Sequence, residues 1–352
     1  MEQAKTARNT VLSIVKGIGI LLMVIGHSRC PQYLFSLIYL FHMPLFFFAS
    51  GYFCRPTEVW KGAEGQIGLR ERILRRFRRL YLPFIAYSVL FLLLRKPLMM
   101  LGLVNTGSYY PVSIPEVFLK MEPPVDLVQG FWFLRSLLIA AVGVDIALFL
   151  LGKTNWQQPR LILFGVVSGL VLMLRMFPPD TPVVRQLVLA ALGAYFFVFG
   201  MLFKAVEGRW TVSVPNRLAA CAIFMLVAWL KPLSMGSTGV VNTLIYMLVA
   251  PLGICLTVWV ARWSDRRRTP VTRFLRYCGD HTMTILALHF LSFRLVSLLA
   301  IRVLGLPVTQ LPSWPTISGL GGAWWILYSL VGIILPLLVA YAVDNVKRMV
   351  KR

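Results

Sequence analysis

The chain has 352 residues, of which 58% are hydrophobic and only 14% charged, with a mean hydropathy of +0.74. A soluble domain is charged at about a quarter of its positions, so a water-soluble globular protein is excluded and a polytopic membrane protein is indicated. The net charge of +23, from 36 Lys and Arg against 13 Asp and Glu, is read as topology and not as a nucleic-acid partner, because basic residues collect in cytoplasmic connections.

The N-terminus, MEQAKTARNT, is polar, and the first apolar run has no small-residue cleavage site. No cleavable leader is expected. A helix needs about 20 apolar residues to cross a bilayer. Windows of that size predict about ten spans, near 10–28, 33–54, 80–95, 131–151, 160–177, 183–203, 217–231, 239–261, 278–301 and 322–343. With the N-terminus in the cytoplasm, residues 1–9, 55–79, 152–159, 204–216, 262–277 and 344–352 share that side. The 55–79 segment holds Arg55, Lys61, Arg70, Arg72, Arg75, Arg76, Arg78 and Arg79. Arg262, Arg266, Arg267, Arg268, Arg273 and Arg276 lie in 262–277, and Lys347, Arg348, Lys351 and Arg352 near the C-terminus. Opposite them, 96–130 has only Lys96 and Lys120, and 302–321 only Arg302. The expectation is one all-α transmembrane bundle over 1–352 with both termini cytoplasmic. The 96–130 segment carries Glu116, Glu122 and Asp126, with prolines at 111, 115, 123 and 124, and reads as an irregular cap over a cavity. Five scattered cysteines without CxxC spacing predict neither a disulfide framework nor a metal site.

The first span contains KGIGILLMVIGH. Lys16 and His27 lie eleven residues apart, on nearly one helical face and about 16 Å apart along the axis. Ionisable groups at membrane depth usually face a watery interior. The plainer alternative is a lysine snorkelling to the interface and an interfacial histidine. The second span reads FHMPLFFFASGYF, residues 41–53. Pro44 should kink it beside His42, and Ser50-Gly51 should permit close helix approach. In FWFLRSLLIAAVGVDIALFL, Arg135 is too far from Asp145 for direct contact within one helix and is assigned to the outer cavity. Trp132 suits either sugar stacking or the interfacial aromatic belt. In the ninth span Asp280 suggests a first-turn cap, while His289 is deep, eight residues after His281 and one turn before Arg294.

These motifs resemble the integral-membrane acyltransferase family three, the group that includes bacterial polysaccharide O-acetyltransferases. KGIGILLMVIGH followed by FHMPLFFFASGYF matches its opening. RFRRLYLP at 76–83, FWFLRSLL at 131–138 and YCGDHTMTILALHF at 277–290 match in order and spacing. Two positions depart from the pattern. Ser13 stands where members often carry an acid, and Asp280-His281 where a small polar pair is commoner.

The resemblance implies transfer of an acetyl group from cytoplasmic acetyl-CoA to a hydroxyl of a cell-surface or exported glycan or glycolipid, at the bacterial inner membrane. Acetyl-CoA is then a substrate, and no bound cofactor or metal is expected. His27 and His289 are the expected catalytic residues, with His27 as base. Lys16, Arg76 and Arg79 would hold the donor phosphates. His42, Arg135 and Trp132 would shape the acceptor side. Residue types leave direct transfer and a covalent acyl-histidine equally open. The alternatives are a succinyltransferase of the same family, or a transporter or flippase whose Lys, Arg and His line a path for an anionic solute.

Overall fold

The computed structural model describes residues 9–54, 68–109, 113–152, 158–177, 181–208 and 212–350. Arg55, Lys61, Lys351 and Arg352, counted in the charge argument, lie outside the described residues, as do 1–8. Nearly all of the remainder is helical. In chain order the helices are α1 (Thr10–His27), α2 (Gln32–Tyr39), α3 (His42–Tyr52), α4 (Leu69–Arg76), α5 (Leu82–Leu93), α6 (Arg95–Met100), α7 (Ile114–Lys120), α8 (Trp132–Leu151), α9 (Pro159–Leu174) and α10 (Pro182–Val206). There follow α11 (Val214–Leu230), α12 (Val240–Arg267), α13 (Pro270–Asp280), α14 (Thr282–Leu304) and α15 (Trp324–Val350).

Among the described residues, seven stretches are long and apolar enough to cross a membrane: α1, Gln32–Tyr52, Asp126–Leu151, α10, α12, α14 and α15. The chain is therefore a multi-pass membrane protein. The apolar helices α9 and α11 are shorter. The span expected near 80–95 is α5, which continues α4 through a π-helical turn, Phe77–Tyr81.

The second span breaks, as Pro44 requires. A proline ring clashes with the carbonyl four residues back, here that of Leu40, and the helix is interrupted between Tyr39 and His42. Pro44 then sits in the first turn of α3, where the missing N–H costs nothing.

Hydrogen bonds show which helix ends lie together. Thr10 Oγ1 donates to Asp265 at 3.0 Å, and Ser13 Oγ to Asp280 at 3.0 Å. His281 meets Asp344 at 3.0 Å, and Tyr52 donates to Glu207, which also pairs with Arg262. The start of α1, the end of α3, the α12–α13 corner and the end of α15 thus share one end of the bundle, the end rich in arginine. Thr10 and Asp344 are on the same side.

Glycine sets the closest packing. A Cβ on Gly17 would collide with the Leu275 carbonyl oxygen, and one on Gly279 with that of Ser13, so α1 and α13 cross backbone to backbone. Gly51 and Gly200 play the same part between α3 and α10, against Phe197 and Phe48. The expected close approach at Ser50-Gly51 is therefore present.

At the other end, the 96–130 segment is built from short helices: α6, a turn at Thr106–Ser108, α7 and a turn at Asp126–Phe131. It is fastened to α14 by Arg294, which is fully buried. Arg294 Nη2 donates to Asp126 at 2.9 Å, and Nη1 donates to the carbonyls of Leu311, at 3.0 Å, and Ser313.

Candidate active site

Two cavities meet inside the bundle. The smaller, about 460 Å³, runs from His27 toward the arginine-rich end and is lined by Lys16, Ser50, Phe53 and Arg79 among others. The larger, about 1170 Å³, lies under the 96–130 segment and is lined by Arg29, Glu122, Arg135, Arg185 and Trp314 among others. Six residues line both: His27, Tyr39, His42, Met43, Gly130 and Trp132. They form the partition between the cavities.

His27 is the last residue of α1. Its ring stacks on Phe290, with centroids 5.0 Å apart, and its Nδ1 lies 3.0 Å from Nε2 of His289. His289 is fully buried and its Nδ1 faces two acceptors, the carbonyls of Leu286 at 2.9 Å and Ile285 at 3.2 Å. A carbonyl only accepts, so the hydrogen-bond network assigns the proton of a neutral His289 to Nδ1. Its Nε2 must then accept from His27, which places the His27 proton on Nδ1. The His27 Nε2 lone pair is left over, on a ring that borders both cavities. His42 follows similar logic: its Nδ1 donates to the Ile38 carbonyl at 2.8 Å across the helix break, and its Nε2 remains an acceptor.

Gly26 makes room for this arrangement. A Cβ there would come within 2.9 Å of the Tyr39 ring, so the residue before His27 must be small for α2 to close against it.

The residues expected to hold the donor are separated by the structure. Lys16 and Arg79 line the smaller cavity. Arg76 does not. Its guanidinium is committed to Asp145, by a short contact through Nε and through Nη2 at 3.0 Å. Arg72 joins the same carboxylate at 3.0 Å and donates to the Cys54 sulfur at 3.0 Å. Burial pushes the Cys54 thiol up, against the opposing pull of Arg72. Three residues apart, Arg76 and Arg79 would share one face of a regular α-helix, but the π turn begins between them, at Phe77, and its looser winding turns Arg79 away from Arg76.

Arg135 pairs with Glu122 and donates to the Lys120 carbonyl at 3.2 Å, at the edge of the larger cavity. Its expected separation from Asp145 holds. One expectation in the 277–290 stretch needs correction. Asp280 does not cap α14: it ends α13 and accepts from Ser13. His281 lies between the two helices, bonded to Asp344 and the Tyr277 carbonyl. The two departures from the family pattern, Ser13 and Asp280, thus face each other, and a carboxylate meets the start of α1 from α13.

Sequence reasoning missed Tyr39, Trp314 and Arg185. None stands in a motif, and each reaches its cavity through tertiary packing alone.

The described residues thus form a multi-pass helical bundle in which His27, bonded to His289 behind it, stands on the partition between two cavities. A family model described as an acyltransferase domain matches residues 9–344. The chain belongs to acyltransferase family 3 and is a membrane acyltransferase. No curated protein and no solved structure matches it.

Proposed function

We propose that this acyltransferase moves an acetyl group from cytoplasmic acetyl-CoA to a hydroxyl of a cell-surface or exported glycan or glycolipid at the bacterial inner membrane. The bundle would cross that membrane about ten times with both termini cytoplasmic. The observation that carries the reading is that His27 borders both cavities with one ring nitrogen uncommitted while the other is held by the buried His289.

The donor enters the smaller cavity from the arginine-rich end, where Lys16 and Arg79 offer charge to its phosphates. Arg76 acts indirectly, holding the turn that presents Arg79. The acceptor enters the larger cavity, where Trp132 and Trp314 offer faces to a sugar ring. His27 Nε2 takes the hydroxyl proton as the acceptor oxygen attacks the thioester carbonyl. The C–O bond forms, the C–S bond breaks, and the proton leaves on the CoA sulfur as a thiol. The Nδ1–H of the transient imidazolium stays bonded to His289, which makes His289 a positioning residue. His42 and Tyr39 complete the partition and keep the reacting atoms from open water.

Membrane vesicles given acetyl-CoA labelled in the acetyl group test this reading. Label should appear on glycan, and succinyl-CoA should compete poorly. Solute uptake without any acetyl transfer would favour a transporter and contradict it.

A further inference from the structure

The larger cavity has an unbalanced charge. Among the described residues that line it, three are arginines, Arg29, Arg135 and Arg185, and one is an acid, Glu122. Glu122 is taken by Arg135. Among the described residues, Arg29 has only the neutral Ser318 hydroxyl, at 3.1 Å, and no carboxylate pairs with Arg185. Among the described residues, two cations therefore line the cavity without a counter-charge. Arg29 is also held in a left-handed backbone conformation, φ 61°, two residues beyond His27. Such a conformation is uncommon for a side chain of this size. The cavity's aromatic faces come from Trp132 and Trp314, the latter packed on Phe290 with centroids 3.9 Å apart.

We infer that the larger cavity is a subsite for an oxyanion-bearing sugar: a ring that stacks on the tryptophans while its carboxylate or phosphate is held by Arg29 and Arg185. Guanidinium groups suit both anions through paired N–H donors. The inference rests on the reading of this cavity as the acceptor side and narrows the acceptor from any glycan to an anionic one. The anion has two possible sources, an acidic sugar or the phosphate that links a sugar to a lipid.

Calorimetric titration of the full-length protein in lipid nanodiscs, without acetyl-CoA, separates these. One probe pair is methyl glucuronide against methyl glucoside, and the other geranyl-phosphate glucose against geranyl glucoside. In at least one pair the anionic member should bind roughly tenfold tighter, and the gap should narrow as salt is raised. Arg185→Gln and Arg29→Gln should each shrink that gap, whereas Arg302→Gln, an exposed charge that does not line the cavity, should leave it unchanged. A gap in the first pair alone identifies an acidic sugar, and in the second alone a lipid phosphate. Equal binding within both pairs, no binding by either anion, or a gap that survives both cavity substitutions would overturn the inference. The readout needs no acyl transfer, so loss of transfer alongside intact anion preference would count against the proposed reaction and not against the anion subsite.

Discussion

In the proposed reaction, His27 and His289 illustrate how little of a residue's role is its own chemistry. Both rings are histidine, yet the carbonyls of Ile285 and Leu286 give them different roles by fixing one tautomer and, through it, the other. Replacing His289 with alanine should lower kcat about 10²-fold or more while the KM for acetyl-CoA stays nearly constant, since the lost group touches neither substrate. His289→Gln, which keeps an acceptor for the His27 N–H, should recover part of the rate. Equal losses in both variants would point to packing instead. Arg294 offers a contrast, because its work is structural. Removing it leaves Asp126 buried without its partner, at a cost of about 3–5 kcal/mol. A thermal melt in detergent should show Arg294→Ala well below wild type, with the paired Arg294→Met, Asp126→Leu variant recovering much of the loss.

At the scale of elements, the π turn at Phe77–Tyr81 sorts two neighbouring arginines into different jobs. Arg79→Ala should raise the KM for acetyl-CoA about tenfold with little change in Tm, and Arg76→Ala should do the reverse, because it strips Asp145 of two hydrogen bonds in a buried cluster. The close helix crossings make a similar claim about stability. Gly279→Ala should lower Tm by forcing α13 off α1. Gly165→Ala, where a Cβ meets open space, should leave Tm unchanged or raise it slightly.

These elements also show what the sequence discloses and why it stops. Hydropathy located every long helix, since burial in lipid demands an apolar run. Pro44 announced the break before α3 through its fixed ring. The π turn left no such mark. RFRRLYLP reads as ordinary helix, which would put Arg76 and Arg79 on one face. The His27–His289 and Arg294–Asp126 bonds join residues 262 and 168 positions apart, distances over which no local pattern operates. His27, Lys16 and His289 were nonetheless legible as candidates, because an ionisable side chain at membrane depth needs a reason to be there. Arg185 and Trp314 were not, as an arginine or tryptophan near a membrane surface is commonplace.

For the molecule as a whole, the two cavities and their shared wall fit the proposed reaction. If donor and acceptor come from different compartments, as proposed, residues bordering both cavities are the ones placed to serve the two at once. Lys16 and His27 mark that route on a single helix. The direct test is the rate of acetyl transfer in sealed vesicles, with labelled acetyl-CoA supplied only on the arginine-rich side, for wild type and for His27→Ala proteins matched in Tm and in acetyl-CoA binding. The account predicts that wild type labels glycan in the opposite compartment and that His27→Ala binds the donor but transfers essentially nothing. A folded His27→Ala protein that acetylates glycan at the wild-type rate would contradict it.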